Sequence, residues 1–292
     1  MAEALQNLVE DYAKASDTVV SVFPVEAWRE MLEGHPDYAC KIGFIEHGYP
    51  LGLKPGTDPN RLSKRVHNFV TSKADALEHI KRLHKELKKG QIAPGWGHYQ
   101  LNLLCVPKKN GETGLMTEIR VARHGSYPKV RSKHISLNDA ITEEARKTVL
   151  PHFKDYVAQL YPYCYASLRD LKDAFRQLLL ALDDREYVQY TIFALRFRDN
   201  RVAYGQAGAG ACCQDFSSLI IWICEKKVPE FEGKPNRMSV HIDDFLIVAH
   251  DKPECRSLTK TFDRVCAKLN VQISVAKNED CIQRGVVHGF GF

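Results

Sequence analysis

The sequence predicts an α+β fold in which helices lie on one face of a sheet. Short strand patterns are interleaved with helical patterns, without the strict strand–helix–strand alternation of a parallel sheet. The chain has 292 residues, of which 44% are apolar, so it is long enough for one large domain or two lobes with a core. Its longest uninterrupted apolar run, residues 219–224, is much shorter than the ~20 residues of a membrane span. No membrane partner is therefore predicted.

Helices are predicted where apolar residues recur every three or four positions. They cover, in order, Ala2–Lys14, Val25–Leu32 and residues 72–90, 142–160, 174–182, 213–226 and 253–269. The third has the clearest limits, because Ser72 can cap its start and Gly90 can end it. Before it, a Gly/Pro-rich loop is predicted over residues 43–56.

Strands are predicted where short apolar or alternating runs lie between turn signals. They cover, in order, residues 101–107, 115–122, 165–171, 187–197, 201–204 and 239–249. The first two form a hairpin across a turn at residues 108–114. The fourth and fifth are predicted to form a second hairpin, with its turn at Asp199-Asn200. The last is interrupted by Asp243-Asp244 and is predicted to be a strand, a turn and a second strand.

The cysteines and the amino terminus indicate the cellular compartment. None of the nine cysteines shows a Cys-x-x-Cys or Cys/His spacing suited to zinc, so they are predicted to be reduced thiols. The start of the chain lacks the basic segment followed by an apolar one that is typical of an export signal. An intracellular protein is expected, and the nucleus and the cytoplasm both stay open.

Basic residues are concentrated in one part of the chain. Residues 61–133 contain 16 Lys and Arg against 5 Asp and Glu, a net charge of +11, whereas the whole chain carries +5 and the rest therefore −6. Part of this excess fits the solvated face of the helix predicted at residues 72–90. It continues beyond that helix at Lys108, Lys109, Arg120, Arg123, Lys129, Arg131 and Lys133. Charge alone leaves both a solvated surface and a nucleic-acid or nucleotide-phosphate partner open.

Three acidic residues lie in apolar surroundings. Asp243 and Asp244 interrupt an apolar strand pattern, unlike Asp183-Asp184, which lies in a polar segment and is predicted to form a surface turn. Asp170 ends another apolar strand pattern. Buried carboxylates need compensating charge, and a pair of divalent cations bridged by carboxylates from separate elements would supply it. Taken alone, the pattern leaves a purely structural role open.

Five motifs follow one another in the second half of the chain. They lie at residues 170–177 (DLKDAFRQ), 208–216 (GAGACCQDF), 241–244 (HIDD), 275–277 (VAK) and 287–292 (VHGFGF). Upstream lie VPKKNG at 106–111, EIRV at 118–121, SLNDAI at 136–141 and a glycine-rich segment at 43–52. In order and spacing, these motifs resemble the reverse transcriptase family, and more narrowly the polymerases of DIRS-like (tyrosine-recombinase) retrotransposons, over about residues 36–292.

The resemblance implies a right-hand polymerase with palm and fingers, an antiparallel palm sheet backed by helices, and a thumb that is absent or truncated. It implies a leader packed on the fingers at residues 1–60, fingers at 61–160, and a palm at 161–292 that ends at the primer-grip element. The implied activity is RNA-directed DNA synthesis, with an RNA or DNA template-primer and dNTPs as partners. A separate thumb or RNase H region is a further expected partner.

The resemblance also assigns a role to each acidic residue and to one lysine. Asp170, Asp243 and Asp244 would hold two Mg²⁺ ions, with Mn²⁺ as an expected substitute. Asp243 is expected to matter more than Asp244. Lys277 would protonate the leaving pyrophosphate, although from the residues alone a solvated lysine after a strand is the usual interpretation.

Six further residues would bind the incoming nucleotide: Lys108, Lys109, Arg120, Asp173, Phe175 and Gly208. The first three would neutralise the β- and γ-phosphates, with Arg120 the best suited because a guanidinium can pair bidentately with phosphate. Asp173 would offer its backbone N–H to the triphosphate, and Phe175 would exclude a 2′-OH. Gly208 would let the backbone approach the template or base. The residues alone also allow structural roles. The two lysines could lie in a solvated turn, Asp173 could start a helix, Phe175 could be a core aromatic, and Gly208 could form a turn before a helix.

Two other functions stay open from the sequence. One is a catalytically inactive or domesticated reverse-transcriptase remnant that binds nucleic acid through its basic region. The other is a two-metal nuclease or transposase, which can also use three carboxylates. The second gives no role to Phe175, to Gly208 or to the predicted Lys108/Arg120 hairpin.

Overall fold

A computed structural model gives the structure of this chain. It describes residues 1–292 except 16–18, 20, 59–60, 63–67, 69, 71, 97–99, 110–115, 128–133, 234–236, 288–289 and 292. Within helices and strands, the side chains at 105, 107–109, 116–120, 153, 286–287 and 290–291 also lie outside the described part.

Helices and short strands follow one another along the chain. In its described part, the α-helices are α1 (Ala2–Lys14), α2 (Val25–Leu32), α3 (Tyr38–His47), α4 (Lys73–Lys88), α5 (Leu137–Ala140), α6 (Glu143–Arg146), α7 (Phe153–Gln159), α8 (Ala174–Gln177), α9 (Ala209–Lys227) and α10 (Lys252–Lys268). The strands are β1 (Ile92–Pro94), β2 (Asn102–Lys109), β3 (Met116–His124), β4 (Tyr165–Asp170), β5 (Gln189–Ile192), β6 (Leu195–Asp199), β7 (Met238–His241), β8 (Asp244–Ala249), β9 (Glu279–Ile282), β10 (Val286–Val287) and β11 (Phe290–Gly291). Short 3₁₀ helices lie at Leu182–Tyr187, Pro229–Phe231 and Val275–Lys277.

The chain forms two compact units, each assembled from three separate segments. Unit 1 consists of Met1–Val20, His47–Arg146 and Leu178–Ala209, and unit 2 of Ser21–Glu46, Lys147–Gln177 and Gly210–Phe292. These limits differ from the division at residues 60 and 160, because residues 21–46 belong to unit 2 and residues 178–209 return to unit 1. The three-domain division stays a prediction.

Unit 1 contains two antiparallel sheets. One has the strand order β1–β6–β5, and the other is the β2–β3 hairpin that the sequence predicts. Helix α4 begins at the predicted cap, where Oγ of Ser72 accepts from the N–H of Asp75 over 3.0 Å, and Gly90 beyond its end has a φ of 63°. The core of unit 1 is formed by helices α1 and α4 together with the two sheets. Its buried residues are Leu8, Ile80, Leu83, Leu87, Ile92, Leu103, Val121, Tyr190, Ile192 and Phe197.

The second predicted hairpin of unit 1 has its turn at a different place. β5 and β6 are joined by Phe193 and Ala194, whose φ values of 53° and 62° are those of a tight two-residue turn. The turn predicted at Asp199-Asn200 is wrong, because both residues are buried and Asp199 ends β6. Instead of the strand predicted at residues 201–204, only Arg201 pairs, in an isolated bridge.

Arg123 does not contribute to a charged surface, although the sequence counts it among the basic excess. Its side chain is buried in unit 1 and makes a bidentate ion pair with Asp199, at 2.9 and 2.8 Å. It also donates to Glu86 over 2.9 Å and to the hydroxyl of Tyr190 over 3.1 Å. Asp199-Asn200 has the local composition of a turn, but the ion pair with Arg123, which is distant in sequence, places Asp199 in the core instead.

His79 makes the stability of unit 1 depend on pH. It is fully buried in α4, and burial lowers its pKa to about 4, with the charge of Arg123 acting in the same direction. Below about pH 6.5 the unfolded chain binds a proton at this histidine that the folded chain does not. The stability of unit 1 therefore decreases as the pH is lowered. We expect the unfolding free energy in urea to be about 2 kcal/mol lower near pH 5 than near pH 7.5 because of this group. His79→Leu should remove that difference, and an unchanged pH dependence in this variant would contradict the assignment.

Unit 2 is built on a four-stranded antiparallel sheet in the order β7–β8–β4–β9. Helix α10 packs on β4, β8 and β9, and the rings of Phe262 and Phe245 meet with centroids 4.9 Å apart. The helix begins at Asp251, whose carboxylate accepts from the N–H of Glu254, and Pro253 lies in its first turn. These features agree with the α+β prediction.

Three predicted elements outside the sheets differ from the structure. Gly43 lies in helix α3 rather than in a loop, since Ile42 and Ile45 bury one face of that helix. The single helix predicted at residues 142–160 is instead two short helices, α6 and α7. Pro151 lies between them and disfavours helical backbone in the residue before it. The helix predicted at residues 174–182 ends at Gln177, because the next residues form β-bridges.

Two further findings concern the whole of the described chain. None of the helices it contains is long and apolar enough to cross a membrane. The eight cysteines with described side chains are free thiols.

Candidate active site

Two neighbouring strands of unit 2 bring the predicted carboxylates together. β4 and β8 run antiparallel with Asp170 paired to Asp244, so the last residue of one strand lies opposite the first residue of the other. The N–H of Leu171 donates to the C=O of Asp243 over 3.0 Å, which ties the residue after Asp170 to the β7–β8 turn. Three acidic residues from distant parts of the sequence thus lie at one end of this sheet.

A two-residue turn presents Asp243. His241 pairs with Asp244 at the base of the β7–β8 hairpin, which leaves Ile242 and Asp243 as the loop. Tight hairpin turns of this length require positive φ values, and Ile242 has a φ of 61°. Because a β-branched residue is rarely found in this region, the backbone of the turn is strained.

The electrostatics of Asp244 reflect the crowding of negative charge. Burial, the charge of Asp243 and a hydrogen bond with Asp170 together raise the pKa of Asp244 to about 7. The nearby Lys277 ammonium acts in the opposite direction. Burial is the largest cause of this raised pKa, and the neighbouring carboxylates add to it because carboxylates that share a site cannot all ionise easily.

Lys277 lies at the same carboxylates. It ends the 3₁₀ helix Val275–Lys277, and its Nζ is 2.5 Å from Oδ2 of Asp170. Burial alone would lower the pKa of Lys277, but the hydrogen bond to Asp170 and the charges of all three carboxylates outweigh it and raise the pKa. The ammonium is therefore protonated at neutral pH and is ion-paired in this structure. Its role as a proton donor stays a prediction.

The donor set has the chemistry that Mg²⁺ prefers. Magnesium is bound in proteins by carboxylate oxygens together with substrate phosphates, and the negative charge at Asp244 is what a divalent cation would relieve. Within the described ranges, however, no three His, Cys, Asp or Glu side chains are already arranged to hold a metal ion. Because Lys277 binds the carboxylate of Asp170, cation binding there requires side chains to move. The two Mg²⁺ ions stay a prediction.

The basic residues predicted to bind phosphate lie on the β2–β3 hairpin of unit 1. Lys108 and Lys109 are the last two residues of β2, and Arg120 lies in β3 opposite Val106. The strand register shifts between Lys108 and Lys109. Their side chains lie outside the described part of the chain, as do residues 129, 131 and 133 altogether. The role of this group in phosphate binding is therefore a prediction.

Two of the predicted nucleotide-binding residues follow β4 directly. Asp173 has a φ of 50°, and its C=O accepts from the N–H of Arg176 over 2.7 Å, which starts the short helix α8. Phe175 lies in α8 and is half-buried. Both residues therefore lie within five positions of Asp170, just beyond the end of β4.

Gly208 lies directly before α9 and is closely approached by neighbouring backbone. A Cβ atom at this position would lie 3.0 Å from the carbonyl oxygen of Ala145, also in unit 1. A side chain at this position would require the backbone of Ala145 to shift by a few tenths of an ångström. This observation supports the structural interpretation of Gly208, and its proposed contact with template or base stays a prediction.

Two residues at this site were missed by the sequence analysis. Gln214 and Ser217 of α9 are buried and form hydrogen bonds with Ile242, the residue before Asp243. They lie three positions apart on one face of an apolar helix. Polar residues at this spacing on a buried face were a signal that could have identified them, because buried polar groups need partners.

Solved structures of a foamy viral protease-reverse transcriptase have a fold similar to that of this chain. The foamy viral protease-reverse transcriptase in complex with dsDNA has a TM-score of 0.63 and 16% sequence identity, and the match covers 94% of this chain and 55% of that chain. The same protein in complex with an RNA/DNA hybrid has a TM-score of 0.63 and 14% sequence identity. That match covers 94% of this chain and 36% of the other chain. The form named dRH, in complex with ds DNA, has a TM-score of 0.61 and 14% sequence identity. That match covers 94% of this chain and 47% of the other chain.

No protein-family profile and no curated protein matches the sequence. The chain spans about half or less of the length of the three foamy viral chains. Sequence identities this low support a statement about fold alone. The chain has an α+β, reverse transcriptase-like fold with antiparallel sheets.

Proposed function

We propose that this chain is an RNA-directed DNA polymerase, a nucleotidyltransferase related to the polymerases of DIRS-like retrotransposons. The observation that carries the proposal is the pairing of Asp170 with Asp244, beside Asp243, at the ends of β4 and β8. The reverse transcriptase-like fold and the basic excess of residues 61–133, apart from the buried Arg123, support it. In this proposal unit 2 is the palm, unit 1 is the fingers, and the partners are a nucleic-acid template-primer and dNTPs.

The side chains of the site suit nucleotide addition. Asp170 and Asp243 would hold the metal ions through carboxylate oxygens, with Asp244 as a further ligand. When bound, Mg²⁺ would lower the pKa of the primer 3′-OH and stabilise negative charge on the α-phosphate. Lys277, kept protonated by the carboxylates, would donate its proton to the leaving pyrophosphate.

The basic hairpin has a separate role in the proposal. Lys108, Lys109 and Arg120 would neutralise the β- and γ-phosphates of the nucleotide. Cationic side chains of this kind stabilise charge on phosphoryl groups. A guanidinium on a strand is best suited to this, because its planar donors match two phosphate oxygens.

The test is extension of a labelled primer on an RNA template with dNTPs and Mg²⁺, repeated in the presence of EDTA. We expect nucleotides to be added with Mg²⁺ and none after chelation. Salt-dependent template binding without any extension would favour the nucleic-acid-binding remnant. Cleavage of the nucleic acid without nucleotide addition would favour the two-metal nuclease.

Phe175 is expected to select deoxynucleotides. A bulky ring beneath the sugar excludes a 2′-OH, so Phe175→Ala should increase the use of rNTPs relative to dNTPs by roughly 10-fold or more, the range for a change of a few atoms in a pocket. The ratio of kcat/KM values for the two nucleotides measures this effect. Phe175→Tyr, which keeps the ring, is the matched control. Unchanged sugar selection in an active Phe175→Ala enzyme would remove this role.

A further inference from the structure

Side chains of α9 bind both backbone polar groups of Ile242, and Sγ of Cys213 also lies 3.6 Å from its C=O. The N–H of Ile242 donates to Oε1 of Gln214 over 2.7 Å, and Oγ of Ser217 donates to the C=O of Ile242 over 2.6 Å. These groups belong to the two peptide bonds that flank Ile242. The two hydrogen bonds therefore fix the orientation of both peptide planes.

Both side chains are held firmly in unit 2. Gln214 is 5% exposed and Ser217 is fully buried. Nε2 of Gln214 lies 3.5 Å from the C=O of Val240 in β7. Between them in sequence, Phe216 packs against the rings of Phe23 and Trp28, with centroids 5.1 and 5.3 Å away. Moving α9 would disrupt this aromatic packing, so the helix is a fixed support for the turn.

The backbone of Ile242 needs such a support. Its φ of 61° lies in the left-handed region, where the side chain of a β-branched residue crowds its own backbone. Strained conformations of this kind persist only when surrounding contacts hold them. If Ile242 relaxed to a negative φ, the chain direction at Asp243 would change, and the hydrogen bond from the N–H of Leu171 to the C=O of Asp243 would be lost.

We propose that Gln214 and Ser217 are positioning residues that hold Ile242 in its left-handed conformation and thereby fix Asp243 against Asp170. The inference rests on the proposed function, because it gives Asp243 a catalytic task. Gln214 and Ser217 act through the turn and do not themselves contact the reacting atoms. Losing either one should therefore lower the rate of the chemical step more than the affinity for nucleotide.

The hydrogen bond itself can be tested without metal or activity. Amide hydrogen exchange at Ile242 in the full chain should become about fivefold faster or more in Gln214→Met, which keeps the volume and removes the acceptor. Ser257→Ala is the matched control for Ser217→Ala, because Ser257 lies on the exposed part of α10 in unit 2, whereas Ser218 hydrogen-bonds Gln214 itself. Exchange at Ile242 that is equally slow in Gln214→Met and wild type would overturn the inference.

The positioning role is tested by steady-state primer extension. We expect kcat to fall roughly 10²-fold in Gln214→Met and in Ser217→Ala, as for a small misplacement of a catalytic group, with the KM for dNTP within about twofold of wild type. Ser257→Ala should keep wild-type kcat. Wild-type kcat in both α9 variants, or the same loss in Ser257→Ala, would overturn the proposal.

A second substitution separates positioning from general stability. Glycine adopts positive φ without steric cost, so Ile242→Gly added to Gln214→Met should recover part of kcat. A purely structural role of Gln214 predicts no recovery, which would also overturn the proposal. If Gln214→Met does not fold, Ser217→Ala with and without Ile242→Gly gives the same decision.

The two proposals fail in different ways. If wild type adds no nucleotides at all, the proposed function fails, and exchange at Ile242 still decides whether the hydrogen bond holds the turn. If wild type extends the primer and the α9 variants do so equally well, only the positioning role fails.

Discussion

Asp243→Asn is expected to reduce primer extension by roughly 10³-fold or more. The substitution keeps the size of the side chain and removes the negative charge that would bind the metal ions. Metal ions supply several kcal/mol of transition-state stabilisation in reactions of this class, and each 1.4 kcal/mol corresponds to a factor of ten. Single-nucleotide addition, measured with enzyme in excess over primer, reports the loss without contributions from product release.

The choice of controls follows from the structure. Asp183→Asn makes the same chemical change on the exposed part of a 3₁₀ helix in unit 1 and should leave the rate unchanged. Asp170→Asn should lose as much as Asp243→Asn, because the two carboxylates lie on adjoining segments of the same sheet end. Extension by Asp243→Asn at the wild-type rate would sink the polymerase proposal, whatever the fold.

Asp244→Asn is expected to lose less than Asp243→Asn. In the proposed function Asp170 and Asp243 hold the metal ions and Asp244 is a further ligand. Asparagine at position 244 can still donate a hydrogen bond to Asp170, the neighbour with which Asp244 forms one, so the substitution disturbs the other two carboxylates less. Equal losses at both positions would show that Asp244 is an essential ligand in its own right.

The sequence was sufficient where structure depends on neighbouring residues. The limits of α1 and α2 match the predicted ones residue by residue, and α4 begins at its predicted cap, Ser72. The β7–β8 hairpin was also predicted, because charged residues inside an apolar strand pattern mark a turn. Helical spacing, capping residues and interrupted apolar runs are local signals, and local signals are what a single sequence contains.

The sequence was insufficient where contacts join distant parts of the chain. Asp199-Asn200 has the composition of a turn, yet Asp199 is buried against Arg123, and the turn lies at Phe193-Ala194 instead. The exact pairing of Asp170 with Asp244 depends on strand register. The contacts from Gln214 and Ser217 to Ile242 depend on how α9 packs in unit 2. The spacing of residues along the sequence does not specify any of these long-range contacts.

Arg123→Met is expected to lower the unfolding free energy by about 3–5 kcal/mol, the usual cost of removing one partner from a buried ion pair. The substitution keeps an apolar side chain of similar length but leaves the carboxylate of Asp199 buried without its cation. Asp199 and Glu86 are both almost inaccessible to solvent, at 0% and 2%. Burial alone would lower the pKa of Arg123, but the charge of Asp199 outweighs it, so the guanidinium stays charged in the core. Guanidinium chloride unfolding near neutral pH measures the loss.

Arg82→Met is the matched control, because Arg82 binds the other oxygen of Glu86 over 2.8 Å while its own side chain is partly exposed. Its loss should be smaller than that of Arg123→Met, because Glu86 keeps the hydrogen bond from Arg123 over 2.9 Å when Arg82 is removed. If loss of the cation beside Asp199 causes the destabilisation, Arg123→Met combined with Asp199→Asn should be more stable than Arg123→Met alone. If the double variant is less stable, lost packing around the guanidinium is the cause, and the buried ion pair contributes less than its geometry indicates.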